Sequence, residues 1–261
     1  MHPDLARLVA LERIEQRTPP WFAMRGNMVT ASQVASITGE CPFKSAVQLL
    51  KEKVWPELRD NSSSYATTWG NDHEADAIKK YEKLTGKRIL DFGLLQHPKY
   101  DWIGASPDGV AAGGPEEEPV AIEVKCPVSR EITKEVPPHY MPQVQLQLEV
   151  MDLEQADFVQ YRPADLWREE EFVITRVKRD REWFKRAFPL MKKFYQTWQE
   201  MKASGAPPPP TIIRRAGHPR GQALQTEYTT THACPFKPCS PPSDTELVLD
   251  QLATSVCPFK P

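Results

Sequence analysis

The chain has 261 residues, of which 40% are hydrophobic and 26% are charged, a composition typical of a soluble globular protein. No apolar run is long enough to span a bilayer, which excludes a membrane protein. The N-terminus shows no secretory signal and there are five cysteines, so we expect an intracellular protein, in the cytoplasm or nucleus of a host cell. The net charge of −2 gives no general attraction to nucleic acid, so the motifs must identify the partner.

The first third of the chain has the apolar spacing of helices. Residues 4–15 place four aliphatic side chains at this spacing behind an acidic first turn. The run Thr30-Ala31-Ser32 opens a short helix that ends at Gly39, and Gly86 closes a long amphipathic helix. The predicted helices cover residues 4–15, 21–25, 30–39, 45–54 and 68–84, and residues 61–64 are predicted as a solvated loop.

The middle of the chain changes to short runs rich in Ile, Leu, Val and Trp, which predict strands. These strands cover residues 88–96, 101–105, 119–125, 156–161 and 171–177, with a hairpin connection at Gly113-Gly114-Pro115. Residues 140–151 fit either a strand or a helix by their pattern, and Pro142 slightly favours the helix. A helix over 179–202 has an aromatic inner face. Its outer face is basic and more often solvated than bound to phosphates, and comprises Lys178, Arg179, Arg181, Lys185, Arg186, Lys192 and Lys193.

The composition changes again after residue 204. Residues 205–261 contain 11 of the 26 prolines and few large apolar residues, so we predict a domain over 1–204 and a largely disordered, Pro-rich C-terminal tail over 205–261. The tetrapeptide Cys-Pro-Phe-Lys occurs at 41–44, 234–237 and 257–260, either by drift or as a docking motif. A zinc site is not expected, because no paired-ligand spacing links the residues that would form it, His232, Cys234, Cys239 and Cys257.

Acidic and basic residues around residues 108–125 carry the candidate chemistry. Glu123 and Lys125 are two apart in a predicted strand, so both side chains emerge on one face, while the Val124 carbonyl remains available as an oxygen ligand. Asp108, on the adjacent strand of the hairpin, can bring a second carboxylate to that face, and Glu74 could hold a second metal or its water. These oxygen ligands suit Mg²⁺, with Mn²⁺ as a substitute, and a lysine beside the metal can activate water.

This spacing alone is also that of a surface hairpin with scattered charges. Several blocks in the same order make it specific, and through them the sequence resembles the phage lambda exonuclease and YqaJ-type viral recombinase family, of the restriction-endonuclease-like superfamily. The resemblance runs from about Thr18 to Pro163. The blocks are Trp21-Phe22-x-x-Arg25, Thr30-Ala31-Ser32, Trp69-Gly70-x-x-x-Glu74, Ser106-Pro107-Asp108-Gly109, Glu123-Val124-Lys125-Cys126-Pro127 and Tyr140-Met141-Pro142-Gln143-Val144-Gln145.

The resemblance implies an α/β fold, with a central mixed β-sheet flanked by helices, and makes 140–151 a helix. It implies 5′→3′ digestion of linear double-stranded DNA to mononucleotides, which leaves a 3′ overhang for recombination. In this family's pattern Mg²⁺ is bound by Asp108, Glu123 and the Val124 carbonyl, and Glu74 completes the metal site. Lys125 then activates water, and Gln143 matches a glutamine near the active site.

The same resemblance gives Arg25 and Ser32 to the 5′ phosphate of the digested strand, for which a guanidinium and a hydroxyl at a helix N-terminus are apt. From the residues alone, a surface Arg and an ordinary helix-start Ser are equally good readings. Arg130 is a further candidate for this phosphate or the DNA backbone, although its spacing departs from the phage enzyme by about one residue. Family members can form a homotrimer, which is therefore a possible oligomeric state of this chain. They also work with a single-strand annealing protein, which is an expected partner.

Two alternatives remain open from the sequence. The first is a non-catalytic DNA-end-binding scaffold, against which the intact Asp108, Glu123 and Lys125 argue. The second is an endonuclease or a single-strand exonuclease on the same fold. Three other residues near the candidate site are expected to be ordinary rather than catalytic, namely His73, His97 and Cys126.

Overall fold

The computed structural model describes residues 1–12, 14–60, 64–205 and 207–208. The segment predicted as a Pro-rich tail lies outside these residues apart from its first few positions. The second and third Cys-Pro-Phe-Lys copies, the four residues considered for zinc and most of the predicted loop 61–64 also lie outside them.

Seven helices lie within the described residues: α1 (Pro3–Val9), α2 (Pro19–Gly26), α3 (Ala31–Thr38), α4 (Ala46–Val54), α5 (Tyr65–Thr85), α6 (Met141–Met151) and α7 (Arg181–Ser204). The predicted end signals act as expected, because Gly39 and Gly86 adopt the left-handed conformation that closes α3 and α5. The predicted first helix was too long. It ends at Val9, and Leu11, which helical spacing had placed inward, is 42% exposed.

Eight strands form two sheets in the described part of the chain: β1 (Val29–Thr30), β2 (Arg88–Leu90), β3 (Leu95–Gln96), β4 (Ile103–Ala105), β5 (Gly109–Ala112), β6 (Val120–Lys125), β7 (Gln155–Arg162) and β8 (Glu171–Lys178). The larger sheet has the order β2-β5-β6-β7-β8, and the smaller has the order β1-β4-β3. Strands β6 and β7 are parallel and the other neighbours in the larger sheet are antiparallel, so the predicted mixed sheet is confirmed.

The single strand predicted over 88–96 is wrong, because its two ends belong to different sheets. Strand β2 pairs with β5, whereas β3 pairs with β4. The chain turns between them at Gly93, whose φ is +63°. A side chain at Gly93 would place its Cβ 1.9 Å from the carbonyl oxygen of Ile14, so this turn requires glycine. The sequence analysis also missed β5 as a separate strand.

Helices cover both faces of the larger sheet. Ala77 and Tyr81 of α5 pack on Ile122, Val124 and Val159 on one side. On the other side, α6 and α7 pack with Ala121 and Phe158 in the main core. This alternation along β6 directs Val124 toward α5 and directs its neighbours Glu123 and Lys125 toward the α6 side. The α/β fold class predicted from the sequence is confirmed, and no helix in the described ranges is long and apolar enough to cross a membrane.

The aromatic inner face of α7 is confirmed, with Met191, Phe194 and Trp198 buried in the main core. One residue assigned to its solvated basic face was misplaced. The side chain of Arg179 is only 6% exposed and pairs with Glu149 and Asp152, each through a nitrogen–oxygen distance of 2.6 Å. Arg179 therefore ties the start of α7 to the end of α6 and is not available to DNA phosphates.

Candidate active site

The end of strand β6 brings Glu123 and Lys125 together. Both side chains emerge on the same face, as the two-residue spacing predicts, and Lys125 Nζ donates a hydrogen bond to Glu123 Oε1. The Glu123 side chain is only 1% exposed, so its charge must be compensated inside the protein. Lys125 remains partly exposed, with its ammonium 5.2 Å from the centre of the Tyr140 ring. The pair therefore spans from the core to an accessible surface.

Helix α6 provides the other partners of Glu123. Gln143 Nε2 donates to Glu123 Oε1, and Gln147 Nε2 donates to Glu123 Oε2, each at 2.5 Å. Gln143 was predicted from the sequence, whereas Gln147, which is completely buried, was not. The signal was present in the sequence, because residues four apart lie on the same face of a helix. Once 140–151 is a helix, Gln147 must lie beside Gln143.

Asp108 reaches this site from the turn that precedes β5, one residue before the strand on which we had expected it. Its backbone N–H donates to the Ile122 carbonyl at 3.1 Å, and its Oδ2 accepts a hydrogen bond from the Val124 N–H at 2.7 Å. The N–H and C=O of one strand residue point to the same edge of that strand. The Val124 carbonyl is therefore directed toward the Asp108 side of β6, beyond the last residue that pairs with β5.

A cavity of about 380 Å³, here called the β6 cavity, lies between α5 and the end of β6 and is lined by Asp108 and Lys125, whereas Glu123 is buried behind Lys125. Glu74 enters it from α5, and Arg17 Nη2 lies 3.5 Å from Glu74 Oε2. The cavity lining thus contains four of the residues predicted for the metal site and its lysine. They are Glu74, Asp108, Val124 and Lys125.

The acidic groups at this cavity crowd one another. Burial, followed by the neighbouring Glu123 carboxylate, raises the pKa of Asp108 well above its ordinary value. Burial also raises the pKa of Glu74, although Arg17 and Lys125 act in the opposite direction. Burial lowers the pKa of Lys125, but Glu123 and Asp108 outweigh it and raise this pKa above its ordinary value. The site therefore has more negative charge than a single ammonium compensates.

The donor atoms at the β6 cavity fit a hard divalent cation. Carboxylate and carbonyl oxygens are the ligands that Mg²⁺ prefers, and a cation would counter the burial and the Glu123 repulsion that together raise the pKa of Asp108. Among the described residues, no three His, Cys, Asp or Glu side chains approach closely enough to hold an ion by themselves.

Arg25 and Ser32 meet at a second cavity of about 420 Å³, here called the basic pocket. Arg25 Nη2 donates to Ser32 Oγ at 2.6 Å, and the guanidinium carbon lies 4.7 Å from the centre of the Trp21 ring. Ser32 stands in the first turn of α3, whose N-terminus is closed by a capping box between Thr30 and Gln33. Three further cations line this pocket, namely Lys44, Lys53 and Arg59, and the sequence analysis did not single out any of them.

Arg130 does not line the basic pocket. Its Nη1 donates to the Glu131 carbonyl at 2.8 Å, and its Nη2 is buried without a hydrogen-bond partner among the described residues. Burial lowers the pKa of Arg130, whereas Tyr140 acts in the opposite direction, which places this side chain on the Tyr140 side of the site. Its contact with a DNA phosphate stays a prediction, separate from the Arg25–Ser32 pair.

The three residues expected to be ordinary, His73, His97 and Cys126, lie in packed surroundings, and their lack of a catalytic part stays a prediction. His73 packs its ring 4.2 Å from Trp69, and His97 is buried 3.7 Å from Glu149. Burial raises the pKa of the Cys126 thiol to about 12, so this thiol is a poor nucleophile. These contacts suit packing residues.

A mixed sheet between helices, with Glu123 and Lys125 at the end of one central strand and Asp108 beside it, defines the class of this protein as α/β with a cluster of acidic side chains and a lysine at the sheet. The chain belongs to the family described as the YqaJ-like viral recombinase domain, which matches residues 20–154. The matched region contains every residue predicted for the β6 cavity, and it also contains Arg25, Ser32 and Arg130.

Two viral proteins and one bacterial protein show the range of its relatives. The chain is 28% identical to the uncharacterized protein R354 of Acanthamoeba polyphaga mimivirus, over 62% of this chain and 32% of that protein. It is 30% identical to protein D345L of African swine fever virus, over 50% of this chain and 45% of that protein. YqaJ of Bacillus subtilis is 26% identical, over 77% of this chain and 61% of that protein. The chain thus spans less than half of the two viral relatives.

A solved structure shares the fold. The alkaline exonuclease LHK-Exo from Laribacter hongkongensis is 27% identical and superposes with a TM-score of 0.59, covering 72% of this chain and 96% of that chain. A second structure of LHK-Exo, in complex with dAMP, gives a TM-score of 0.60 at the same identity and coverage. The similarity therefore covers almost the whole length of the exonuclease and about three quarters of this chain.

Proposed function

We propose that the protein is a Mg²⁺-dependent 5′→3′ exodeoxyribonuclease that acts on linear double-stranded DNA. It would release mononucleotides and leave a 3′ single-strand overhang for recombination. The observation that carries this proposal is the meeting of Asp108, Glu123 and Lys125 at one end of β6. Membership of the YqaJ-like viral recombinase family supports it, as does the likeness to an alkaline exonuclease that has been crystallised with a mononucleotide.

The residues predicted for the metal site, in the β6 cavity and buried behind it, each have a chemical part in this proposal. Asp108, Glu123 and the Val124 carbonyl would hold Mg²⁺ or Mn²⁺, with Glu74 completing the set. The metal would supply Lewis-acid stabilisation of charge on the scissile phosphate. Lys125 holds and orients the attacking water and assists its deprotonation. Gln143, together with Gln147, fixes the Glu123 carboxylate through both of its oxygens, so the ligand is preorganised before substrate binds.

The basic pocket supplies the preference for an end. Arg25 already donates to Ser32, so a guanidinium and a hydroxyl lie side by side at the basic pocket. A terminal 5′ phosphate placed there would receive charge-assisted hydrogen bonds from both groups. Arg59 and Lys53 add positive charge around it, and the exposed ring of Phe43 lies at the rim. Circular DNA offers no such group, which makes this pocket a means of selecting ends.

A digestion assay tests the proposal with three substrates: linear duplex with 5′ phosphates, closed circular duplex and single-stranded DNA, each with and without Mg²⁺. We expect the linear duplex alone to be shortened, and only with metal. Cleavage of circles would indicate an endonuclease, and preference for single strands would indicate a single-strand exonuclease. Binding of ends without digestion under any metal would indicate the non-catalytic scaffold.

Two variants test the site itself. Lys125→Ala and Asp108→Ala are expected to lose digestion while they retain folding and binding to DNA ends, because neither side chain belongs to the basic pocket. Lys185→Ala, which removes a highly exposed cation of α7, is the matched control and should digest like the parent protein. Full activity of the Asp108 variant would overturn the assignment of the metal site.

The partners also belong to this proposal. Double-stranded DNA ends are the substrate, and digestion of one strand exposes the other for a single-strand annealing protein. A homotrimer that encloses the duplex would keep the enzyme on its substrate between cleavage steps. Size-exclusion chromatography with light scattering measures the oligomeric state, and a monomer that digests processively would rule out enclosure.

A further inference from the structure

Lys53 is a partly buried cation of the basic pocket for which the proposed function has no specific task. It stands in the last turn of α4, and its side chain crosses to the end of α2. There its ammonium lies within hydrogen-bond distance of three backbone carbonyls at the end of α2 and just after it. They belong to Arg25 at 3.3 Å, Gly26 at 3.5 Å and Met28 at 2.6 Å. Lys53 therefore closes the C-terminal end of the helix that carries Arg25.

A second element holds Lys53 in this position. The ammonium lies 4.6 Å from the centre of the Trp198 ring, and the Trp198 indole N–H donates to the Lys53 carbonyl at 3.2 Å. Trp198 belongs to α7 and is fully buried. The long C-terminal helix thus fixes both the backbone and the side chain of Lys53, and through them it supports the turn behind Arg25.

The positive charges of Lys53 and Arg25 at the basic pocket are electrostatically unfavourable when no anion is bound. Burial, followed by the nearby cations Arg25, Arg59 and Lys202, lowers the pKa of Lys53 to about 7. Burial and Arg59 likewise lower the pKa of Arg25 to about 10. Like charges collected around a cavity are unfavourable unless an anion offsets them. In contrast, Lys44 at the same pocket is neutralised by an ion pair with Glu52 at 2.6 Å.

We propose that Lys53 is a positioning residue that makes the enzyme selective for 5′-phosphorylated over 5′-hydroxyl DNA ends, by holding the turn behind Arg25 so that its guanidinium stays against Ser32. This inference rests on the proposed function and deepens it. Three hydrogen bonds to carbonyls occupy the donors of Lys53, so the side chain acts on the phosphate through the position of Arg25 rather than by direct contact.

The test compares kcat/KM of the full chain on two linear duplexes that differ only in the 5′ group, phosphate or hydroxyl. In Lys53→Met we expect the phosphate-to-hydroxyl ratio to fall about tenfold, the equivalent of one weakened charge-assisted hydrogen bond. Activity on the 5′-hydroxyl duplex should change little. Lys51→Met, two residues away in α4 and outside the basic pocket, is the matched control and should keep the parental ratio.

A double mutant separates positioning from direct contact. If Lys53 acts through Arg25, Lys53→Met in an Arg25→Ala background leaves the already reduced ratio unchanged. A further fall in the double mutant, or an unaltered ratio in Lys53→Met alone, would overturn the inference. Should Lys53→Met fail to fold, Lys53→Gln serves instead, because its shorter side chain with fewer donors cannot reach all three carbonyls.

A binding measurement keeps this inference distinct from the proposed function. Fluorescence anisotropy of the two labelled duplexes with Lys125→Ala, in EDTA, reports end recognition without cleavage. Preference of this variant for the 5′-phosphorylated duplex, lost on adding Lys53→Met, supports the role of Lys53 even if the parent protein digests nothing. Equal binding of both duplexes before Lys53 is changed would refute the basic pocket as a phosphate site and the role of Lys53 with it.

Discussion

Asp108→Asn should make the metal-free protein more stable and at the same time inactive. Burial and the Glu123 carboxylate raise the pKa of Asp108, so its charged form is unfavourable in the folded state at neutral pH. Two like charges about 4–8 Å apart repel by about 2–4 kcal/mol at an effective dielectric constant of about 20, and Lys125 offsets part of this repulsion. The asparagine oxygen can still accept the Val124 N–H. We therefore expect a gain of about 1–2 kcal/mol, or roughly 2–6 °C in Tm.

The pH dependence gives this prediction its sign. A carboxyl whose folded pKa is raised contributes stability below its ordinary value of 3.8 and loses it as pH rises through the folded pKa. The advantage of Asp108→Asn should therefore appear at neutral pH and vanish in acid. Thermal unfolding in EDTA across pH measures it, and excess Mg²⁺ should stabilise the parent protein more than the variant.

A matched control comes from Asp157, a buried aspartate in β7. Asp157 accepts a hydrogen bond from the Tyr81 hydroxyl at 2.7 Å and pairs with Arg176, so Asp157→Asn should destabilise the protein. If Asp108→Asn raises the stability and Asp157→Asn lowers it, the charge of Asp108 is electrostatically unfavourable in the folded protein, whereas that of Asp157 is favourable. A destabilised Asp108→Asn protein in EDTA at neutral pH would refute the reasoning.

Two further predictions concern the supports of the site. Gln147→Leu removes a hydrogen bond to the buried active-site carboxylate, and urea unfolding should show a loss of about 1.5–3 kcal/mol together with slower digestion; an unchanged midpoint would contradict this. Arg179→Met should cost about 2–4 kcal/mol at neutral pH, because Glu149 loses its nearly buried partner. The exposed Arg181 should matter less, and an equal effect of Arg181→Met would show that burial of the pair is irrelevant.

Most of the secondary structure follows from the sequence because local signals agree with the fold. Glycines that end helices, Gly39 and Gly86, act as expected, and the alternation in 119–125 correctly places Glu123 opposite Val124. The wrong secondary-structure predictions arise where contacts between residues distant in sequence determine the backbone conformation. The run 88–96 is apolar throughout, and only the approach of Gly93 to the Ile14 carbonyl divides it between two sheets. No pattern within the run contains that contact.

The candidate site divides in the same way. Spacing within one strand is enough to bring Glu123 and Lys125 together, the predicted hairpin brought Asp108 to them, and the resemblance added support for Glu74. The role of Lys53 could not be read from the sequence, because its carbonyl partners come from another helix and its supporting ring lies 145 residues away in α7. A lysine in the last turn of a helix is common in any sequence. Only its position at the basic pocket, beside the backbone of Arg25, indicates a role for Lys53.

Helix α6 shows why the periodicity of 140–151 was ambiguous and what the ambiguity means. Val144, Leu146, Leu148 and Val150 are all buried, because the helix lies between the sheet and helices α3 and α7, so neither period leaves a polar face. In such a helix a buried glutamine is unfavourable unless it has a partner. Gln147 has one in Glu123, yet its own Oε1 is buried without a hydrogen-bond partner among the described residues. A buried acceptor without a hydrogen-bond donor lowers stability. The presence of Gln147 in the core is therefore explained by the hydrogen bond that it donates to Glu123 rather than by a contribution to the stability of the fold.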